Sequence, residues 1–452
     1  MKAPADPFAA MRSKQYLRLL VLAAILGVPI SAIAFWFLKL VALLQHWVFA
    51  SLPGGLGFHG EPPWWPLLPL GVAGAVVGAV IKYLPGQGGH SPADGFKAGG
   101  VAQPIELPGI FAAAVVSLGL GVIIGPEAPL IAIGGGLAFL AVKLAKRDVP
   151  ATTGAVVAAA GSFAAISTLL GSPLAGAFLL LEASGLGGAM ATIALLPGLL
   201  GAGIGAIIFV GLNSLTGYGT FSLAIPHLPR FHHPDIAQFG WAIVLGVAAA
   251  FAGYGIKRLA LYLRAHVERQ LLLLTPVAGL AIAGLAIAYG QGSSHAASDV
   301  LFSGQSFLGP LITHAAAYTV GALVLLIACK GIGYAIALSG FRGGPTFPAM
   351  FIGAAGGIAL SHAPGLPVVP GAAIGIGAMA AAMLRLPMTS VLLTTLFLGS
   401  DGITVLPLVI VGVVVSFVLT IWLIGPPVAP KAHAATQTAP KSASEPVATQ
   451  VR

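Results

Sequence analysis

The chain has 452 residues, of which 58% are hydrophobic and only 7% are charged. Soluble domains carry about a quarter charged residues, so this composition excludes an ordinary soluble protein and predicts several membrane spans. The net charge of +9 does not indicate a nucleic-acid partner, because the basic residues lie beside apolar segments. With one cysteine, Cys329, no intramolecular disulfide is possible, and we expect neither a metal nor a cofactor.

Apolar segments follow one another along almost the whole chain. Gly and Pro interrupt them often, as is common where neighbouring membrane helices satisfy the disturbed backbone groups. Several segments are shorter than the roughly 20 residues of a spanning helix, which is typical of half-helices that meet near the membrane midplane. The predicted segments are 16–48, 66–84, 107–124, 129–145, 151–170, 173–183, 190–214, 236–263, 270–289, 312–339, 347–361, 368–384, 387–398 and 403–425.

The basic residues indicate the topology. By the positive-inside rule, basic clusters at span ends mark the cytoplasmic side. The stretch 45–65 has no Lys or Arg and contains three tryptophans, as expected of an outer loop with interfacial anchors. We therefore expect a multi-pass protein of the cell's inner membrane with both termini in the cytoplasm. The basic clusters are Lys2, Arg12, Lys14 and Arg18; Lys143, Lys146 and Arg147; and Lys257, Arg258, Arg264 and Arg269.

The two ends of the chain differ from its middle. Residues 1–15 are predicted to be a cytoplasmic segment. Residues 426–452 are rich in Ala, Pro, Ser, Thr, Gln and Lys, so we expect a disordered cytoplasmic tail. Residues 16–425 are predicted to form one all-α polytopic membrane domain.

A weak internal repeat divides this membrane domain into two halves, about 16–214 and 236–425. In each half, a Gly/Pro stretch opens an apolar helix, and a second proline helix start follows at a nearly equal offset. Repeats of this kind commonly form an inverted pair with broken half-helices and a substrate site at their interface. Chance similarity among Gly/Ala/Pro-rich spans is the alternative. The four helix starts are 125–129, 171–174, 343–348 and 385–388.

These helix starts have the chemistry of an anion site. A proline shortly after glycine suits the first turn of a helix. The start of a helix leaves backbone N–H groups without partners, and the helix dipole makes that end mildly positive. Several such ends aimed at one buried point would hold a small anion without a buried Lys or Arg, which would bind it too tightly to release it.

Three motifs together resemble the CLC family of chloride channels and transporters. The stretch 125–129 (Gly-Pro-Glu-Ala-Pro) is similar to the family's Gly-Arg-Glu-Gly-Pro signature. The stretch 171–176 (Gly-Ser-Pro-Leu-Ala-Gly) is similar to its Asn-Ala-Pro-Leu-Ala-Gly run, and 339–348 fits its Ser-Gly-x-x-Gly-Gly-x-Phe-x-Pro pattern, followed by 351–354. The resemblance covers most of 86–410.

The resemblance implies which residues bind the anion, and this chain departs from the pattern at three places. The loop 86–92 replaces the family's Gly-Ser-Gly-Ile-Pro stretch, with Gly89 at the place of the coordinating serine. Pro345 lacks the N–H that the family usually donates. The family's coordinating tyrosine is absent, since residues 401–404 occupy the expected region. The implied anion-binding residues are Gly89, His90, Ser91, Gly125, Pro126, Ala128, Gly344, Thr346 and Phe347.

Glu127 is the predicted gate. A carboxylate in an apolar stretch is costly unless it is paired, protonated or hydrated, so a functional role is the default interpretation. By resemblance, the ionised carboxylate occupies the anion site and the protonated or displaced one vacates it. The alternative is a glutamate that only caps its own helix start.

The resemblance also bears on coupling. Proton-coupled members usually carry a second glutamate where this chain has Ala183, next to Glu182. For Glu182 itself, a helix-end contact is favoured over a transport role. We therefore predict a passive, voltage-gated chloride channel that forms a homodimer in the bilayer. The alternatives are a chloride/proton antiporter of the same family and an unrelated inverted-repeat anion transporter.

An enzyme is not expected. Ser339 and His362 are the only pair that could suggest a protease, and nothing in the sequence orients the two side chains toward each other.

Overall fold

The computed structural model describes residues 9–96, 101–145, 151–184, 188–217, 224–225, 228–229 and 231–425. The predicted tail, 426–452, and residues 1–8 of the predicted N-terminal segment lie outside these ranges. The regular structure of the described residues is helical, as the sequence predicts. Its helices are α1 (Lys14–His46), α2 (Leu52–Gly55), α3 (Leu67–Tyr83), α4 (Leu107–Gly119), α5 (Glu127–Ala145), α6 (Ala151–Leu170), α7 (Pro173–Ser184), α8 (Gly188–Thr216), α9 (Ile236–Val267), α10 (Leu271–Ser293), α11 (Gln305–Thr313), α12 (Val320–Gly340), α13 (Thr346–Leu360), α14 (Val368–Leu384), α15 (Pro387–Phe397) and α16 (Gly402–Ile424).

Both long and short apolar helices are present. Among the described residues, eight helices are long and apolar enough to cross a bilayer, and six further apolar helices are shorter. The short ones include α7, α13 and α15, which begin at or next to the prolines that the sequence analysis took as half-helix starts. The predicted mixture of spanning helices and half-helices is therefore confirmed.

One predicted segment is wrong. The sequence suggested a continuous apolar run over 312–339, but the α-helical structure is interrupted at 314–319 by a turn and a short 3-10 helix (Ala315–Ala317), which divides the run between α11 and α12. Thr319 is the reason for the second start, because its side chain accepts a hydrogen bond from the N–H of Ala322 and caps α12.

The two halves pack their central helices in the same way. α5 crosses α6 where Gly134 faces Gly161, and α13 crosses α14 where Gly353 faces Gly375. A Cβ on any of these glycines would overlap the facing backbone carbonyl, so the helix axes approach as closely as backbones allow. The same close glycine packing therefore occurs once in each half.

Candidate functional site

The glycine motifs of the two halves are in direct contact. The N–H of Gly125 donates to the carbonyl of Gly344 at 2.7 Å, and the N–H of Gly344 donates back to the carbonyl of Gly125 at 2.5 Å. Both residues are buried. The bridge joins the chain just before α5 to the chain just before α13, and it occupies two N–H groups that the sequence analysis had assigned to anion binding.

Glu127, the first residue of α5, reaches across this bridge. Its side chain is 0% exposed, and Oε1 accepts a hydrogen bond from the backbone N–H of Phe347 at 3.1 Å. Oε2 has no partner among the described residues. The carboxylate therefore lies against the start of α13, a helix of the other half, where an anion would find its N–H donor.

The two bridge glycines also shape the seat of this carboxylate. A Cβ on Gly125 or on Gly344 would overlap the carboxylate oxygens of Glu127. Any larger residue at either position would displace the side chain. The glycines are thus required by the position of Glu127 as well as by the close approach of the two loops.

The start of α13 has few unused donors. Pro345 has no N–H, and the N–H of Phe347 is bound to Glu127. The hydroxyl of Thr346, which is 1% exposed, lies beside the Glu127 carboxylate. Tyr334, which the sequence analysis missed, donates its hydroxyl to the carbonyl of Pro345 at 2.6 Å and fixes this turn from α12. Its only signal in the sequence was a tyrosine inside an apolar helix.

The first-half loop lies beside these helix starts. Four consecutive residues, 86–89, have positive φ angles, of which only Gln87 is not glycine. This backbone turns the loop back on itself and is accessible chiefly to glycine. Ser91, which follows, is 9% exposed, and its hydroxyl has no partner in the described part of the chain.

A cavity of about 690 Å³ connects the loop with α5 and with the segment just before α13. Gly89, His90, Ser91 and Ala128, all predicted anion-binding residues, line it. Gly125, Gly344, Thr346 and Phe347 instead surround or adjoin the Glu127 carboxylate, and Pro126 accepts the first backbone bond of α5 from Leu130. The charged residues of the cavity wall are Asp94, Glu106, Arg264, Glu268 and Arg342.

The site therefore has two parts, an open part and a closed part. The open part is the cavity, whose wall includes the end of α9 that carries the basic cluster 257–269. The closed part is the buried Glu127 carboxylate. Its neighbour Ala128 lines the cavity, and so do Gly343 and Pro345, which flank Gly344.

Glu182 has a helix-end contact, as the sequence analysis favoured. Its carboxylate accepts hydrogen bonds from the backbone N–H groups of Met388 and Thr389, at 3.0 and 2.7 Å, and from the Thr389 hydroxyl at 2.6 Å. It thus caps the start of α15 from α7. The neighbouring Ala183 packs against the apolar core.

Other residues singled out from the sequence lie elsewhere. Residues 401–404 form a helical turn and the start of α16, and none of them lines the cavity. The Ser339 hydroxyl donates to the carbonyl of Ile336, and the His362 ring contacts the carbonyl of Ile358 at 3.2 Å. Each side chain is held by its own helix, so they do not form a catalytic pair.

A second polar cluster, to which the sequence analysis assigned no role, surrounds Lys330. The Lys330 ammonium group is 0% exposed and donates to the carbonyls of Val300 and Leu301, both at 2.9 Å, with longer contacts to two neighbouring carbonyls. It also lies 4.5 Å from the ring centroid of Phe351. The carbonyls hold the α10–α11 connection against α12.

Two carboxylates complete this cluster. Asp299 is 6% exposed and lies near Lys330 and the Tyr318 hydroxyl, while the ring of His295 stacks on Tyr318 at 4.2 Å. Burial raises the pKa of Asp299 to about 6 against the opposing effects of His295 and Lys330. Burial and, second, the charge of Asp299 raise the pKa of Glu61 to about 7.

These shifts predict how stability depends on pH. A carboxyl group with a raised pKa binds its proton more tightly in the folded state, so its contribution to stability falls as pH rises from about 4.5 to about 7. Glu61→Gln should therefore reduce the loss of thermal stability between pH 5 and pH 8, measured as unfolding midpoints in detergent. Glu268→Gln, which changes an exposed carboxylate outside the cluster, is the control. An unchanged pH slope in Glu61→Gln would contradict the assignment.

The comparisons with known proteins agree with this architecture. A family model described as "Voltage gated chloride channel" matches residues 73–420. The "Putative ion-transport protein YfeO" of Escherichia coli strain SMS-3-5 is 29% identical over 362 residues, which cover 79% of this chain and 82% of that protein. The corresponding protein of Escherichia fergusonii is 29% identical over the same shares of both chains.

Solved structures share the fold. A slow cyanobacterial Cl⁻/H⁺ antiporter matches with a TM-score of 0.73 and 22% identity, covering 91% of this chain and 96% of that one. A CLC-type fluoride/proton antiporter matches with a TM-score of 0.70 and 18% identity, covering 91% and 97%. The resemblance seen in the motifs is confirmed over the length of the membrane domain. This chain is a polytopic membrane protein and belongs to the voltage-gated chloride channel, or CLC, family of anion-transport proteins.

Proposed function

We propose that the chain conducts chloride passively and that Glu127 is its gate. The observation that carries the proposal is the bond from the Phe347 N–H to the Glu127 carboxylate, because it places a side-chain anion on a helix-start donor of the other half. A carboxylate and a chloride ion compete for the same kind of donor. Protonation removes the charge that holds the side chain there and opens the site to an anion.

The path runs from the cavity to the carboxylate. Ser91 has a buried hydroxyl without a partner in the described part of the chain, and such a group is costly unless a ligand or water satisfies it. The buried hydroxyl of Thr346 lies beside the Glu127 carboxylate and is released when that carboxylate leaves. Ser91 lines the cavity and Thr346 adjoins Phe347. We assign these two hydroxyls to chloride as hydrogen-bond donors, Ser91 in the cavity and Thr346 beside the carboxylate of Glu127.

Passive conduction follows from the residue at position 183. A coupled exchanger needs an inner acceptor that takes protons from the gate, and an alanine cannot bind a proton. The neighbouring Glu182 is committed to three hydrogen bonds at the start of α15. We therefore assign no proton path, and chloride alone crosses.

The wider arrangement is part of the same proposal. Two copies of the chain form a homodimer with one path in each subunit, and opening depends on voltage. Both termini lie on the cytoplasmic side of the inner membrane, because the basic clusters beside the span ends follow the positive-inside rule. The cavity then faces the cytoplasm.

The reversal potential decides between channel and exchanger. In proteoliposomes with a tenfold chloride gradient, it should lie at the chloride equilibrium value of about 59 mV. A proton gradient added at fixed chloride should leave it unchanged. Protein-free liposomes give the background leak. A stable shift with the proton gradient would instead identify a chloride/proton antiporter, with water or another group in place of the missing relay.

A further inference from the structure

Among the described residues, Arg342 is the one charged residue that both lines the cavity and lies in the second-half motif, 339–348. It directly precedes Gly343-Gly344, is 8% exposed, and lines the cavity beside Pro345. Buried arginines are rare unless they are paired, because the guanidinium stays protonated in proteins. The role of Arg342 therefore requires an explanation.

Arg342 contacts the first-half loop, 86–92, through its Nε atom. Its Nε donates to the carbonyl of Gln87 at 3.0 Å, and its Nη1 donates to the carbonyl of Phe341 at 3.2 Å. A Cβ on Gly88 would lie 3.3 Å from Arg342 Cγ, so the side chain packs along the loop. The bond reaches the non-glycine residue of the positive-φ run and supports its backbone.

The charge of Arg342 is not neutralised by a contact. The other arginine of the cavity, Arg264, bonds the carboxylates of Asp94 and Glu268, both at 2.5 Å. Among the described residues Arg342 has only backbone carbonyls as hydrogen-bond partners. Carbonyl oxygens satisfy N–H donors but do not cancel the charge. Asp94 and Glu268 act on the Arg342 charge only at longer range, and both are bound by Arg264, so Arg342 remains a positive group without an ion-pair contact in the cavity wall.

This positive group lies where the backbone is short of donors. The N–H groups of Gly125 and Gly344 each donate to the carbonyl of the other residue. Pro345 has no N–H, and the N–H of Phe347 donates to Glu127. A helix-start anion site normally relies on such donors. The positive guanidinium of Arg342 lies beside these backbone groups and can supply the electrostatic attraction that they would otherwise provide. It does so without contacting the Glu127 carboxylate, which closes the path.

We propose that Arg342 is the fixed cation that draws anions into the cavity and at the same time braces the loop 86–92, replacing the backbone donors that this chain lacks at the start of α13. The inference rests on the proposed anion path. It makes Arg342 a determinant of anion affinity on the cavity side only. Anions arriving from the opposite side meet Glu127 before they meet this charge.

The test measures anion affinity separately from each side. Full-length protein in planar bilayers is titrated with chloride on one side and then on the other. Arg342→Gln should raise the half-saturating chloride concentration about tenfold on one side, the size of one partly screened charge interaction, and leave the other side unchanged. Arg342→Lys, which keeps the charge, should stay within about twofold of wild type at neutral pH. Arg269→Gln, which removes an exposed basic residue outside the cavity wall, is the matched control.

A second measurement does not depend on the glutamine variant folding. Lysine has a lower ordinary pKa than arginine, so the side chain in Arg342→Lys loses its proton at lower pH than Arg342 does. Its half-saturating chloride concentration on the cavity side should therefore rise more steeply between pH 8 and pH 10 than that of wild type. A constant value in Arg342→Lys, equal affinities in Arg342→Gln and wild type, or equal losses in the lysine and glutamine variants would each overturn the proposal. Failure of the anion path itself would appear as no chloride current in wild type.

Discussion

Glu127→Gln should raise chloride flux about tenfold at neutral pH and remove most of its pH dependence. The amide keeps the size of the side chain but lacks the charge that strengthens the bond from the Phe347 N–H. A charge-assisted hydrogen bond is about twice as strong as a neutral one, and about 1.4 kcal/mol corresponds to tenfold in occupancy. The neutral side chain therefore leaves the donor to chloride more often. The measurement is chloride efflux from proteoliposomes between pH 4 and pH 9.

Glu182→Gln is the matched control for this experiment. Glu182 is also a glutamate that binds the start of a helix of the other half, but its helix is α15 and it does not line the cavity. Its replacement should lower thermal stability and leave the pH profile of flux unchanged. If Glu127→Gln and wild type have the same pH profile, the gate hypothesis is wrong and Glu127 is a structural cap.

The sequence alone was sufficient to predict that the Glu127 carboxylate would lie against a helix start of the expected anion site. Glycine, proline and glutamate in a fixed order carry backbone requirements that can be read locally, and the approximate repeat indicated which helix starts would meet. The sequence could not show the bridge between Gly125 and Gly344, because that contact depends on how the two halves of the chain pack together. Consequently, donors predicted to face the anion turn out to face each other.

The partners of the buried basic residues could not be predicted from the sequence either. Lys330 and Arg342 gave no pattern in the sequence that pointed to a partner. Their partners are backbone carbonyls, at 299–302 for Lys330 and at Gln87 and Phe341 for Arg342. Every residue has a carbonyl, so side-chain identity carries no information about which carbonyls will converge. Only the folded chain reveals that one cation is enclosed and the other faces the cavity.

Gly344→Ala should lower the thermal stability of the protein, and a second substitution at Glu127 should restore it. The added methyl group would overlap the Glu127 carboxylate, which is fully buried at this position. Overpacking of this kind typically costs about 1–3 kcal/mol. The measurement is the unfolding midpoint in detergent.

The double variant, Gly344→Ala with Glu127→Ala, shows whether the loss of stability comes from the clash with the carboxylate or from any substitution in this loop. In Glu127→Ala the carboxylate is gone, so the methyl group of Gly344→Ala meets empty space and the combined loss should be smaller than the sum of the two single losses. Coupling of roughly 1 kcal/mol or more is expected for residues in direct contact. Gly356→Ala, on α13 but with open space around its Cβ position, is the control and should be nearly neutral. Additive losses in the double variant would show that the carboxylate does not occupy the seat between the two glycines, and the competition between Glu127 and chloride would lose its structural basis.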